Sequence, residues 1–165
     1  MKHLTKYFGE IDFDQLNEWY ETEIELNGKT VEVSITVSAN SKSLDKDDIQ
    51  SVDNYVEDLQ TNERDIRHLI QQDFKRRGET KNYIDVQIEE QDKEDIADLI
   101  ENTDKKLGKK QRLLSVLNLS RIIFYPEKED NMFAVFDYTI DKDLTDDLLA
   151  VKLHKDYDVT IDIES

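Results

Sequence analysis

The chain has no cysteine, so disulfides and thiolate metal sites are excluded, as is thiol catalysis. It has a single proline and four glycines, which leaves few obvious loop breakers in 165 residues. No run of residues approaches the roughly 20 apolar positions of a membrane span. The N-terminal stretch MKHLTKYFGEID has no apolar core of the signal-peptide kind, so the expectation is a soluble, cytoplasmic protein. Basic charge is scarce as well: 22 Lys and Arg stand against 39 Asp and Glu, for a net charge of −17. Phosphate recognition needs a basic footprint, so nucleic-acid binding is disfavoured. GxGxxG, GxSxG and P-loop patterns are absent, and His3, His68 and His154 are scattered rather than set at metal-ligand spacing.

What is present is periodic. The acidity is uneven: residues 1–60 carry −9, residues 61–125 carry 0, and residues 126–165 carry −8. Glu18 to Leu26 alternates, with Tyr20, Thr22, Ile24 and Leu26 on one face and Trp19, Glu21, Glu23 and Glu25 on the other. Asn27-Gly28 follows and predicts a two-residue type I′ hairpin into Thr30 to Val37. That turn sets Ile24 opposite Val31 and Tyr20 opposite Ile35, so the apolar residues share a face. It also sets Glu23 opposite Glu32. This is either a solvated face relieved by a lysine on a neighbouring strand or a ladder held open for a basic partner. A short strand is expected over Tyr7 to Ile11.

Helices are expected next. Asp45 is placed to cap a helix whose stripe is Ile49, Val52, Tyr55, Val56 and Leu59, with Leu44 and Ile49 as a hydrophobic staple. Thr61 can cap a second helix carrying Ile66, Leu69, Ile70 and Phe74, with Gly78 at its end. Thr80 to Gln91 fits a helix or a strand. Helix is favoured, with Thr80 as cap, because its neighbours are charged or amide residues. Asp92 to Asn102 reads as helix, Asp104 to Lys110 as a loop, and Gln111 to Leu117 as a short helix. Four strand-like segments close the chain: Arg121 to Tyr125, Met132 to Ile140, Leu148 to Leu153 and Val159 to Ile163. Met132 to Ile140 (MFAVFDYTI) has almost no polar face and is the candidate central strand. The sum is a single α+β domain over residues 1–165. Its sheet is largely antiparallel, an N-terminal hairpin plus a C-terminal four-strand meander, with central helices packed on one face.

Candidate site residues are Trp19, Glu21, Glu23, Glu25 and Glu32 on the hairpin, and Asp137 and Tyr138 on the central strand. Trp19 beside carboxylates is a binding hot spot or packs under a neighbouring segment. Asp137 interrupts an apolar strand, as a functional carboxylate, a structural ion pair with Arg121 or a carboxylate at the strand end exposed to water. DKDLTDD (Asp141 to Asp147) lacks the glycine and terminal glutamate of an EF-hand loop, and Asp143 and Thr145 fit turn hydrogen bonding.

At YFGEIDF near the start, at FAVFDYTI and LTDDLLAVKL, and at the closing IDIES, the chain resembles a bacterial domain-of-unknown-function family of short acidic α+β proteins. Asp92 to Lys110 matches least. The resemblance implies one domain ordered as hairpin, helices and meander, and it carries no catalytic residue. The expectation is therefore a non-catalytic acidic binding protein with a basic protein partner, in its sharpest form an immunity-type inhibitor of a basic toxin, with no cofactor. Two other readings stand beside it: a small metal-dependent hydrolase using Asp137, and a housekeeping protein whose acidity only confers solubility.

Overall fold

The fold is known from a computed structural model, which describes residues 1–39 and 41–165. The chain runs β1 (Lys2–Leu4), β2 (Glu10–Asp12), β3 (Trp19–Leu26), β4 (Lys29–Thr36), α1 (Lys46–Glu57), α2 (Leu59–Lys75), α3 (Glu79–Glu90), α4 (Lys93–Ile100), α5 (Lys109–Ser115), β5 (Asn118–Phe124), β6 (Met132–Thr139), β7 (Leu148–His154) and β8 (Val159–Glu164). Strands β3 to β8 form one six-stranded sheet in chain order, and β1 pairs with β2 in a separate two-stranded sheet. The architecture is α+β. No helix among the described residues is long and apolar enough to cross a membrane.

The β3–β4 hairpin has the register that its turn dictates, with Ile24 opposite Val31, Tyr20 opposite Ile35 and Glu23 opposite Glu32. Asn27 and Gly28 take positive φ values of 52° and 79°, the type I′ requirement. Gly28→Ala is expected to lower stability by about 1 kcal/mol, because a Cβ disfavours this backbone region. Urea unfolding would measure it. An unchanged midpoint would mean the turn relaxes to another type.

Hairpin and meander join through the single parallel pairing of the sheet, β4 against β5, with Glu32 beside Arg121 and Ile35 beside Phe124. A parallel neighbour needs a long crossover, and the five helices between β4 and β5 supply it. The other pairings in the sheet are antiparallel. β6, the apolar MFAVFDYT strand, lies inside the sheet between β5 and β7. Its Phe136 and Tyr138, with Val33, Ile122, Leu149 and Val151, are buried in one core together with Ile49, Val52, Ile66, Ile70 and Ile84 of the helices.

Asp45 caps α1 as its sequence position suggests. Its carboxylate accepts from the N–H groups of Asp47 and Asp48, and the Asp48 side chain returns to the Asp45 N–H. Residues 83–90 are helical, within α3. Three local expectations are corrected. Thr61 does not cap α2, which starts at Leu59 directly after Asp58, the residue that also ends α1. Thr80 does not cap α3, because it lies inside the helix and is fully buried, with its N–H donating to Asp73 Oδ2 at 2.8 Å. The strand expected over Tyr7 to Ile11 starts only at Glu10. The preceding residues turn, with Thr5 N–H donating to Gly9 O at 2.9 Å and Gly9 at a φ of 76°.

The end of α2 also differs in detail. Arg77, not Gly78, takes the left-handed conformation, at φ 62°. Gly78 N–H donates to Asp73 O at 3.0 Å and Arg77 N–H to Phe74 O at 3.1 Å, the paired bonds of a Schellman end. A Cβ at Gly78 would lie 2.2 Å from Asp73 Oδ1, so a larger residue there would have to displace the carboxylate that accepts from Thr80 N–H.

Candidate functional site

One face of the six-stranded sheet is apolar and carries the helices. The other is charged. A single register row crosses all six strands on that charged face: Glu23, Glu32, Arg121, Asp137, Ala150 and Asp162. Strand alternation puts Glu21 and Glu25 on the same face as Glu23.

At the β3–β4 end the row is uncompensated. Glu21, Glu23, Glu25 and Glu32 are exposed, and among the described residues none of them forms an ion pair. Glu25 accepts only from the Thr30 hydroxyl, at 2.5 Å. The basic residue beside Glu32 on the next strand is Arg121, but its guanidinium is committed further along the row. Trp19 stands at the start of the edge strand β3, 46% exposed, with its indole N–H donating to Glu21 Oε2 at 3.0 Å. The indole is held on the acidic face rather than under a loop. Carboxylates on an edge strand also discourage strand-to-strand aggregation.

At the centre of the row Asp137 is buried, only 2% exposed. Arg121 donates to its Oδ2 from Nε at 2.9 Å and from Nη2 at 2.6 Å. Among the described residues its Oδ1 has no hydrogen-bond partner. Burial pushes the Asp137 carboxyl above the ordinary carboxylate range, and the Arg121 guanidinium opposes that shift without cancelling it. Next to it Lys152 reaches from β7 to Asp162 at 3.1 Å and Glu164 at 2.9 Å on the other edge strand.

Tyr138 does not share this site. Successive strand residues point to opposite faces, so Tyr138 is buried on the helix side. There its hydroxyl meets Glu63 Oε1 at 3.1 Å. Glu63 is itself buried and accepts from Arg67 Nε at 2.6 Å, while Arg67 Nη1 donates to Leu117 O at 2.8 Å. This network ties α2 to β6 and to the end of α5 and is a structural clamp. Burial pushes the Tyr138 hydroxyl well above the usual phenol value, so it is neutral.

Two clefts flank the Arg121–Asp137 pair. The larger, of about 1020 Å³, runs from Glu23 and Glu32 of the charged face across Asp137 to the 140–146 loop, and Leu99 of α4 and Val116 after α5 also line it. The smaller, of about 340 Å³, lies toward Tyr125, Met132 and Lys152. The 141–147 segment is held by its own turn bonds: Asp143 N–H to Asp141 Oδ1 at 2.7 Å and Asp147 N–H to Thr145 Oγ1 at 3.0 Å. Its place on the cleft wall had no local signal in the sequence. In comparisons with protein-family models, curated proteins and solved structures, the chain matches none.

Proposed function

We propose that the chain is a non-catalytic binding protein that takes a basic protein partner on the acidic face of β3 and β4. The observation that carries this reading is the set Glu21, Glu23, Glu25 and Glu32, four exposed carboxylates without ion-pair partners among the described residues, beside the half-exposed indole of Trp19. Unpaired charge of one sign on a sheet face steers an oppositely charged partner and speeds encounter. A large, stiff indole supplies the desolvated contact that slows dissociation. Where that partner is a toxin, covering its working surface would make the chain an immunity-type inhibitor. The hydrolase reading is weaker, because Asp137, the carboxylate it would use, is bonded to a guanidinium.

The test is affinity capture from cell lysate at low salt, followed by a rising salt gradient. The wild type is run beside the triple variant Glu21→Lys, Glu23→Lys, Glu25→Lys. One basic protein in stoichiometric amount is expected on the wild type, with affinity for the variant about tenfold weaker or worse. A captured partner indifferent to the triple reversal would place the interface elsewhere. Only a scatter of abundant cationic proteins, equal on both baits, would leave the acidity as a solubility device.

A further inference from the structure

We infer that the larger cleft receives a cationic side chain of the partner, seated against Asp137. The inference rests on the binding reading above and adds the anchor point to it.

Three observations converge. The cleft wall carries six carboxylates, Glu23, Glu32, Asp137, Asp141, Asp143 and Asp146, against three cations, Lys29, Arg121 and Lys142. A recess with such an excess focuses negative potential, which favours a positive guest. Two of those cations are already engaged: Arg121 with Asp137, and Lys29 with the Asn118 side chain. Second, the cleft is lined by a buried carboxylate with an unpartnered oxygen. Asp137 is 2% exposed, and among the described residues its Oδ1 has no hydrogen-bond partner. Buried polar atoms are nearly always partnered, so such an acceptor in a recess calls for a donor. Both Arg121 bonds go to Oδ2, so the existing pair does not supply it. Third, Glu23 and Glu32 belong both to this cleft and to the acidic face, so the recess is continuous with the proposed surface.

The guest's chemistry follows. An ammonium or guanidinium head donates several N–H bonds and carries the charge that the carboxylates lack. Its methylene stem fits the apolar part of the lining, Leu99, Val116 and Leu148. The Arg121 side chain, 41% exposed, bonds Oδ2 alone and leaves Oδ1 to the newcomer. Charge and donor count thus select a lysine or arginine on a partner loop.

The test is an NMR titration of the full chain, labelled with nitrogen-15, with end-blocked Gly-Lys-Gly and Gly-Arg-Gly, and with Gly-norleucine-Gly as the neutral control. The cationic peptides are expected to shift the Arg121 Nε–H signal and the backbone amides of residues 137–140 saturably, and the neutral peptide to leave them in place. Asp137→Asn should weaken that response about tenfold. The double variant Glu23→Gln, Glu32→Gln changes only exposed residues, keeps the fold, and should weaken it in the same direction. Shifts confined to β3 and β4 amides would overturn the cleft while leaving the acidic face intact. The same signals moving with protein concentration alone would assign the cleft to a second copy of the chain and overturn the proposal. With the captured partner in hand, the two readings separate: loss of binding in the triple lysine variant but not in Asp137→Asn sinks the anchor only, and loss in neither sinks both.

Discussion

Phe136→Ala is expected to lower the free energy of unfolding by about 4 kcal/mol. Phe136 sits on β6, fully buried, with Ile122 of β5 on one side and Val151 of β7 on the other. Above it Tyr55 of α1 meets it edge to face with ring centroids 6.0 Å apart, and the same tyrosine meets Phe124 at 5.7 Å and Phe133 at 5.5 Å. Truncation removes the ring's transfer free energy and leaves a hole that two flanking strands and a helix cannot close without breaking ladder bonds. Native domains have only about 5–15 kcal/mol in hand, so the variant would be marginal at 37 °C. Phe136→Leu keeps most of the volume and should lose only about 1–1.5 kcal/mol. Urea unfolding of both checks the prediction. A loss below about 1 kcal/mol for the alanine variant would mean that the strand order around β6 is wrong.

Much of this architecture was legible in residue patterns, and the reason is local physics. The β3–β4 register follows from Asn27-Gly28 and a period-two pattern, which together allow one pairing. The apolar run of β6 names an interior strand because no face of it tolerates water. The Arg121–Asp137 pair was foreseeable from a carboxylate within that run and a basic residue on the strand before it. Non-local features were not legible. The parallel contact of β4 with β5 brings Glu32 beside Arg121 across nearly ninety residues of chain, and nothing in either segment encodes the meeting. The cleft is a product of that contact, since it joins Glu32 to Asp143 and Asp146. Glu63 was missed for another reason. It occupies the position between Leu59 and Ile66 on the buried stripe of α2, a signal for burial, but its charge argued for the solvent side. Tyr138 was grouped with Asp137 by adjacency, although strand geometry separates neighbours to opposite faces.

Arg121→Ala and Asp137→Asn are expected to differ sharply, although they break the same pair. Removing Arg121 strands a carboxylate whose side chain is 2% exposed, and the variant should lose about 3 kcal/mol at neutral pH. The lower end of the range applies because the guanidinium it replaces is 41% exposed and water can enter in its place. Removing the charge of Asp137 instead leaves Arg121 free to turn into solvent, so Asp137→Asn should fall within about 1 kcal/mol of the wild type. The pH dependence separates this account from simple packing loss. The folded-state pKa of Asp137 lies above its ordinary value because of burial. The folded state therefore holds that proton more tightly than the unfolded chain does. Between the ordinary and the raised value, this group makes the protein more stable as pH falls, and its penalty is complete above the raised value. Without Arg121 the carboxyl rises further and the window widens upward. The deficit of Arg121→Ala should thus be full at neutral pH and shrink in mild acid, while Asp137→Asn shows no such change relative to its own neutral value at this site. Urea midpoints at the two pH values decide it. A deficit in Arg121→Ala that is equal at both would mean that Asp137 is solvated when its partner is gone.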